Sequence, residues 1–502
     1  MGDTSTQLEW LVVALFYNNS CYDIENQADN PGYVKMERQK NSFFSAIKDS
    51  AFSDKIKIFI VEARIGKTAE NKIIQRICIC EKVENKITDW LITPQANLAL
   101  LSDKDGIADI LRALVNAYPA KKHIVITAGH GSCFGINYLP LGQITEAGAK
   151  DDSNKAVSSV IDESDPVIQP GSITKEMETF TRFDIGFNGN PDDRLLFKLS
   201  ASGNGMKEVE KQQDEFNLLT NIELSEALRS VFDKSNNGSK LDILVMYNCL
   251  MQNLFTQYEL REAVDYLVAP LTGICHPGYD YRFVFKELTA MPTKETDVVA
   301  QLFLEAARDD RKDTHRAYFG DIHSTWKVCA VQLDKDKFED IQARFASLLG
   351  QVAGLMNNPF VLYSLRVANR QVYNYAQHSL PEVKIVDLPI LLTYWLEKIK
   401  AFPALQSLEM PIKDLLESLA QVRSFHFTGR DLYKTAFFYV DEGLAATMPT
   451  GLGIWFPHTA PKEGNLVFRE ILNPNGLQQI VPNFVVNSAY GQVFGQYIRK
   501  FG

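Results

Sequence analysis

Two short stretches of this 502-residue chain place a nucleophile and a base where a reaction could use them. The first is Ile124-Val125-Ile126-Thr127-Ala128-Gly129-His130-Gly131-Ser132. An apolar run that reads as a buried strand ends here in a histidine between two glycines. The glycines leave the imidazole uncrowded and let the Gly131 N–H face a ligand. The second is Ile243-Leu244-Val245-Met246-Tyr247-Asn248-Cys249-Leu250-Met251, a buried strand that ends in a cysteine, with a helix expected to begin at once. In a parallel α/β sheet, ligands bind beyond the carboxyl ends of the strands, where both residues fall. A helix N-terminus and a nearby imidazolium both favour the thiolate, which is the reactive form. Cys249 and His130 are therefore a candidate nucleophile–base pair. The backbone N–H groups of Gly131 and Cys249 are candidates to bind the developing oxyanion. Each motif alone has a plainer reading. Gly-His-Gly is more often a tight turn, and a cysteine after a strand is more often a small buried apolar residue.

The elements that must position this pair are legible as apolar runs. Buried strands are expected at Trp10–Tyr17, Ile56–Val61, His123–Thr127, Leu241–Tyr247 and Tyr266–Ala269, and a hairpin at Ile73–Cys80 and Lys86–Ile92. Helices are expected at Phe43–Ala51, Ile107–Tyr118, Asn221–Phe232 and Leu254–Val264. Thr220 and Glu223 stand at capping-box spacing ahead of the third of these. Strands alternating with helices predict an α/β domain with a mainly parallel sheet. We assign it to residues 1–290, with a polar insertion at about 142–217. Residues 291–502 read as an α+β region, with helices at Thr296–Arg308, Phe338–Leu355, Leu388–Ile399 and Ile412–Val422 and strands at Trp326–Leu333 and Gly453–Phe456.

Composition narrows the function. The net charge is −10, from 52 basic against 62 acidic residues, so no nucleic-acid partner is expected. The apolar stretch Trp10–Phe16 is far short of the ~20 residues a spanning helix needs, so no membrane span is expected. No Lys or Arg precedes Trp10, so no signal peptide is read in the chain. The seven cysteines are scattered and odd in number, which is no disulfide framework. Cys78 and Cys80 share one strand face and read as packing. Cys133 lacks the strand-to-helix setting and reads as a loop thiol. Cys275-His276 offers only two ligands, too few for zinc, so no metal site is assigned.

At these motifs the sequence resembles the clostripain family of cysteine peptidases. The resemblance rests on Gly129-His130-Gly131-Ser132, the helix Asn221–Leu228, the block Cys249-Leu250-Met251 with Tyr258-Glu259-Leu260, and the strand Ala263–Ala269. It extends to Pro277-Gly278-Tyr279-Asp280-Tyr281 and to Thr450-Gly451-Leu452-Gly453-Ile454-Trp455-Phe456-Pro457, all in the family order. It implies a caspase-like fold and a hydrolase acting on a polypeptide substrate through a thioester on Cys249, with His130 handling the proton on the leaving amine. It also implies a secreted or cell-envelope setting. Relatives can depend on calcium, but no EF-hand-like loop supports that here, so no cofactor is assigned.

The chain departs from the family pattern at Tyr247. The family carries an aspartate there, at the floor of the pocket for the residue before the scissile bond, which favours Arg or Lys. A phenol cannot neutralise a guanidinium, and an unpaired cation in a pocket is costly. Asp280 is a second candidate carboxylate for that pocket. Strict basic specificity is therefore not expected, and an aromatic or smaller apolar preference is equally open. The bulk of Tyr247 also motivates an alternative: a catalytically inactive or latent family member that binds a polypeptide partner through the former cleft. Oligomeric state is not legible.

Overall fold

The structure is a computed structural model. It describes residues 7–16, 43, 46–47, 53–67, 73–83, 86–92, 101, 104–131, 133–137, 218–235, 239–271, 279–307, 328–371, 385–426, 450–456, 471–472 and 481–501. The whole insertion at 142–217 lies outside these residues, as do Cys275 and His276.

Among the described residues the centre is a nine-stranded sheet. In chain order its strands are β1 (Leu8–Phe16), β2 (Ile56–Lys67), β3 (Ile73–Val83), β4 (Lys86–Ile92), β5 (Ala120–Ala128), β9 (Leu241–Tyr247), β10 (Val264–Pro270), β11 (Val328–Gln332) and β13 (Ser424–His426). The omitted numbers belong to short strands: β6 (His130–Gly131), β7 (Gly135–Asn137), β8 (Leu218–Thr220), β12 (Ile385–Asp387) and β14 (Gly453–Trp455). The spatial order is β13-β11-β10-β9-β5-β1-β2-β3-β4. The middle five strands, from β10 to β2, run parallel. Antiparallel pairs extend the sheet on both sides, β3 and β4 beyond β2, and β11 and β13 beyond β10. The expected mainly parallel α/β sheet is thus present, with antiparallel margins. Strands β11 and β13, both from beyond residue 290, are part of it.

The parallel strands are apolar almost throughout because helices cover both faces. Trp10 to Phe16 and Ile243 to Tyr247 are buried without a break. On one face lie α1 (Lys104–Ala117) and α2 (Asn221–Ser235), whose Phe232 ring meets His123 of β5 edge-on at 5.2 Å. On the other lie α4 (Tyr281–Ala290) and α5 (Thr296–Ala306), reached by Tyr279 against Phe303 at 5.9 Å. Between them in sequence, α3 (Leu254–Leu260) follows β9. The capping box at the head of α2 forms as its spacing predicts. Thr220 N–H donates to Glu223 Oε2 at 2.8 Å, and Glu223 N–H donates to Thr220 Oγ1 at 3.1 Å.

Farther along are α6 (Lys335–Leu355), α7 (Pro359–Gln371), α8 (Leu388–Lys400), α9 (Glu409–Ala420), α10 (Asn483–Asn487) and α11 (Tyr490–Phe501). The expected helices at Thr296, Phe338, Leu388 and Ile412 are all present within a few residues. Helices α4, α10 and α11 were not anticipated, and two further features depart from the sequence reading. Helix α3 stops at Leu260 rather than Val264, because Val264 already pairs with Leu241 in the sheet. Helix α7 was not anticipated, although Pro359 at its first position is a start signal.

Candidate functional site

Strands β5 and β9 are parallel neighbours, in register from Ile124 opposite Ile243 to Ala128 opposite Tyr247. Their last backbone link is Gly129 N–H to the Tyr247 carbonyl, at 3.1 Å. Beyond it the chain turns twice, once through His130 and Gly131 and once through Asn248 and Cys249. The two turns touch. A Cβ built on Gly131 would stand 2.6 Å from the Cys249 carbonyl oxygen, 2.9 Å from Cys249 N and 2.8 Å from Asn248 Cβ. Only glycine allows an approach this close, since backbone atoms fill the space a side chain would need. The turns that follow β5 and β9 therefore lie against each other at adjacent strand ends. The side chain of His130 lies outside the described residues; its backbone is placed, paired with Asn137 in a small sheet of β6, β7 and β8.

The turn that carries Cys249 differs from expectation. A helix does not begin at once. Leu250 takes a left-handed conformation with φ of 63°, and α3 starts only at Leu254. Asn253 caps that helix, accepting from Thr256 N–H at 3.0 Å. The helix dipole thus acts on Cys249 from several residues away, weaker than if the helix opened at the thiol. Cys249 is 7% exposed.

A buried polar knot ties the histidine turn to this one. Cys133, three residues past His130, also has a positive φ, of 59°. Its carbonyl accepts from Asn221 Nδ2 at 3.2 Å, Asn253 Nδ2 at 3.1 Å and Thr256 Oγ1 at 3.1 Å. Asn253 Nδ2 also donates to the Leu250 carbonyl at 2.9 Å. Cys133 is fully buried, and burial pushes its thiol well above the ordinary range, so it is a poor source of thiolate. Upstream of the knot, Thr127 Oγ1 donates to Asn248 Oδ1 at 2.6 Å, both side chains fully buried.

The C-terminal segment closes the other side. Gln257 Nε2 and Gln252 Nε2 donate to the Gly451 carbonyl at 2.7 and 3.3 Å. Thr450 is fixed in turn by Asp387, whose Oδ2 accepts from its N–H and hydroxyl at 2.7 and 2.9 Å. Glu259 of α3 accepts from Asn483 N–H at 2.5 Å and Asn483 Nδ2 at 2.7 Å. Burial is the main influence on that carboxyl and raises its pKa, against the hydrogen bonds from Asn483.

The two pocket candidates sit as follows. Tyr247 is 2% exposed, and its ring meets Tyr279 at 6.3 Å. Tyr279 donates through its hydroxyl to the Met246 carbonyl at 3.4 Å, and burial pushes that phenol well above its usual range. Asp280 caps α4, its Oδ1 accepting from Phe283 N–H at 3.3 Å. A carboxylate in that role faces the helix terminus. The sequence reading took Asp280 for part of a turn and missed its capping position. It also missed Thr127, Asn248, Gln252, Asn253 and Gln257. Of these, only Asn253 carried a local signal, an N-cap residue just ahead of an apolar helical run.

Among the described residues, no group of three or more His, Cys, Asp or Glu side chains stands together to hold a metal ion. No helix among them is long and apolar enough to cross a membrane.

A model of the clostripain family matches residues 144–389, a span that holds Cys249 and Tyr247 and begins after His130. No curated protein matches the chain. Among solved structures, the chain is similar to an inactive zymogen C11 protease from Parabacteroides distasonis, at 11% identity and a TM-score of 0.49, covering 96% of this chain and 99% of that one. It is also similar to a secreted C11 cysteine protease from Bacteroides thetaiotaomicron in complex with an irreversible peptide inhibitor, at 12% identity and a TM-score of 0.49, covering 97% and 99%.

Proposed function

We propose, from the match of residues 144–389 to the clostripain family model, that this chain is a cysteine endopeptidase with Cys249 as nucleophile and His130 as base. The observation that carries the reading is the contact between the two turns, with Gly131 flush against the Cys249 peptide. It brings the residue after His130 against the Cys249 backbone, which supports a nucleophile–base pair at these two positions.

In this reading the Cys249 thiolate attacks the carbonyl carbon of the scissile peptide bond. The carbonyl oxygen takes up the charge and is met by the N–H groups of Gly131 and Cys249. As the C–N bond breaks, His130 gives its proton to the leaving amine and a thioester remains. Water then attacks the thioester, His130 takes its proton, and the carboxylic acid leaves as the Cys249 thiol is restored. Tyr247 stands where the family's carboxylate would be and Asp280 is engaged as a helix cap, so the residue before the cut is apolar or aromatic rather than Arg or Lys.

The test is a mixed peptide library incubated with wild type and Cys249→Ala, with products read by mass spectrometry. Cleavage by wild type alone is the expected result, and the residue before the cut reports on Tyr247. Equal cleavage by both proteins would sink the assignment. The burial of Cys249 favours a second reading, a latent or inactive member that binds a polypeptide through the same cleft. No cleavage by either protein, together with measurable peptide binding, is its signature.

A further inference from the structure

We propose that the Thr127–Asn248 hydrogen bond is a positioning device that holds the Cys249 peptide against Gly131, a role that rests on the Cys249–His130 reading above. The backbone ladder between β5 and β9 runs out at Gly129 and Tyr247. The bond from Thr127 Oγ1 to Asn248 Oδ1, at 2.6 Å, ties β5 to the residue just past that point. It joins the last turn of strand before His130 to the residue next to Cys249.

Three observations separate this bond from ordinary core filling. First, both partners are fully buried, where a hydroxyl–amide bond is shielded from competing water. Second, Leu250, two residues after Asn248, holds a φ of 63°. A branched residue persists in that region only where its surroundings over-determine the backbone. Asn253 restrains the far side through its bond to the Leu250 carbonyl, and Asn248 restrains the near side. Third, Asn248 Nδ2 is buried and has no hydrogen-bond partner among the described residues. Buried donors are nearly always satisfied, and this exception lies beside the candidate nucleophile.

The positioning reading predicts a change in thiol chemistry, whereas a purely structural bond would change stability alone. The experiment measures alkylation of Cys249 by iodoacetamide against pH, using the full chain and peptide mass spectrometry, for wild type, Thr127→Val and Thr127→Ser. Wild type is expected to react well below pH 8.5, the ordinary thiol midpoint of about that value. Thr127→Val keeps the shape but loses the hydroxyl. It is expected to slow alkylation at neutral pH on the order of tenfold or more, as small misplacements of reacting groups do. Thr127→Ser, which restores the donor, is expected to recover most of the rate. Circular dichroism checks the fold, and Thr127→Ala serves the same comparison if Thr127→Val does not fold. A low-pH reaction in wild type that Thr127→Val leaves unchanged overturns the positioning role and leaves the dyad standing. An ordinary thiol profile in wild type overturns the dyad and the positioning role together.

Discussion

Gln257 and Gly451, 194 residues apart, are joined by a buried hydrogen bond of 2.7 Å from the glutamine amide to the glycine carbonyl. Gln252 reaches the same carbonyl at 3.3 Å. The region just after Cys249 is thereby anchored on the segment that leads into β14. Replacing Gln257 by Leu keeps the volume and leaves Gly451 with the longer bond alone. The expected cost is about 1 kcal/mol. In the Gln252→Leu, Gln257→Leu double variant the carbonyl has neither partner, so the loss exceeds the sum of the single losses. Urea unfolding of the four proteins checks this, and strict additivity would refute it.

Gly131→Ala is the sharpest substitution available at the site. The added methyl would lie under 3.0 Å from three atoms, two of them backbone. The two turns must part to admit it. We expect Cys249 alkylation and peptide cleavage to fall on the order of a hundredfold, since displacements near 1 Å have that effect on aligned groups. Wild-type rates in Gly131→Ala would show that the contact is not part of the chemistry.

Glu259 makes stability depend on pH. Burial raises its carboxyl in the folded state above the ordinary value, so the folded protein holds the proton more tightly than the unfolded chain. The contribution is fully present below the unfolded pKa and is lost as pH rises through the folded one. Glu259→Gln removes this loss. Its stability relative to wild type should therefore improve as pH is raised from about 4.5 upward, starting near the ordinary carboxyl value. Urea midpoints at several pH values read the trend, and a difference that does not vary with pH contradicts it.

Thr220 tests the capping box at the head of α2. Thr220→Ala removes the acceptor for Glu223 N–H and the hydroxyl that donates to Glu223 Oε2 at 2.8 Å. The expected loss is about 1 kcal/mol, read by thermal or urea unfolding. Because α2 lies on the sheet face away from Tyr247, the residue preference of cleavage should not change.

The fold was legible because burial on both faces makes parallel strands into unbroken apolar runs, as at Trp10–Phe16 and Leu241–Tyr247. The capping box at Thr220 and Glu223 was legible because its partners are three residues apart. The site was legible only in outline. His130 and Cys249 stand out as candidates from strand ends and glycines, but Thr127 and Asn248 are 121 residues apart and nothing local in either announces the other. The left-handed turn at Leu250 was hidden for a related reason. Leucine does not favour that conformation, and the bonds that impose it come from Asn253 and the knot at Cys133. Asp280 shows the opposite case, a cap that stands directly before its helix and was passed over for a pocket role.

The anchoring of Gln252 and Gln257, just beyond Cys249, on Gly451 sets an order of events during synthesis. The strands β5 and β9 leave the ribosome long before Gly451 does. At roughly 5–20 residues per second, the 194 residues between Gln257 and Gly451 take about 10–40 s to make. Throughout that interval the turn that carries the thiol lacks its last tether. Strands β5 and β9 can therefore pair before these buried bonds form, and the surroundings of the Cys249 turn are completed only when the C-terminal segment arrives.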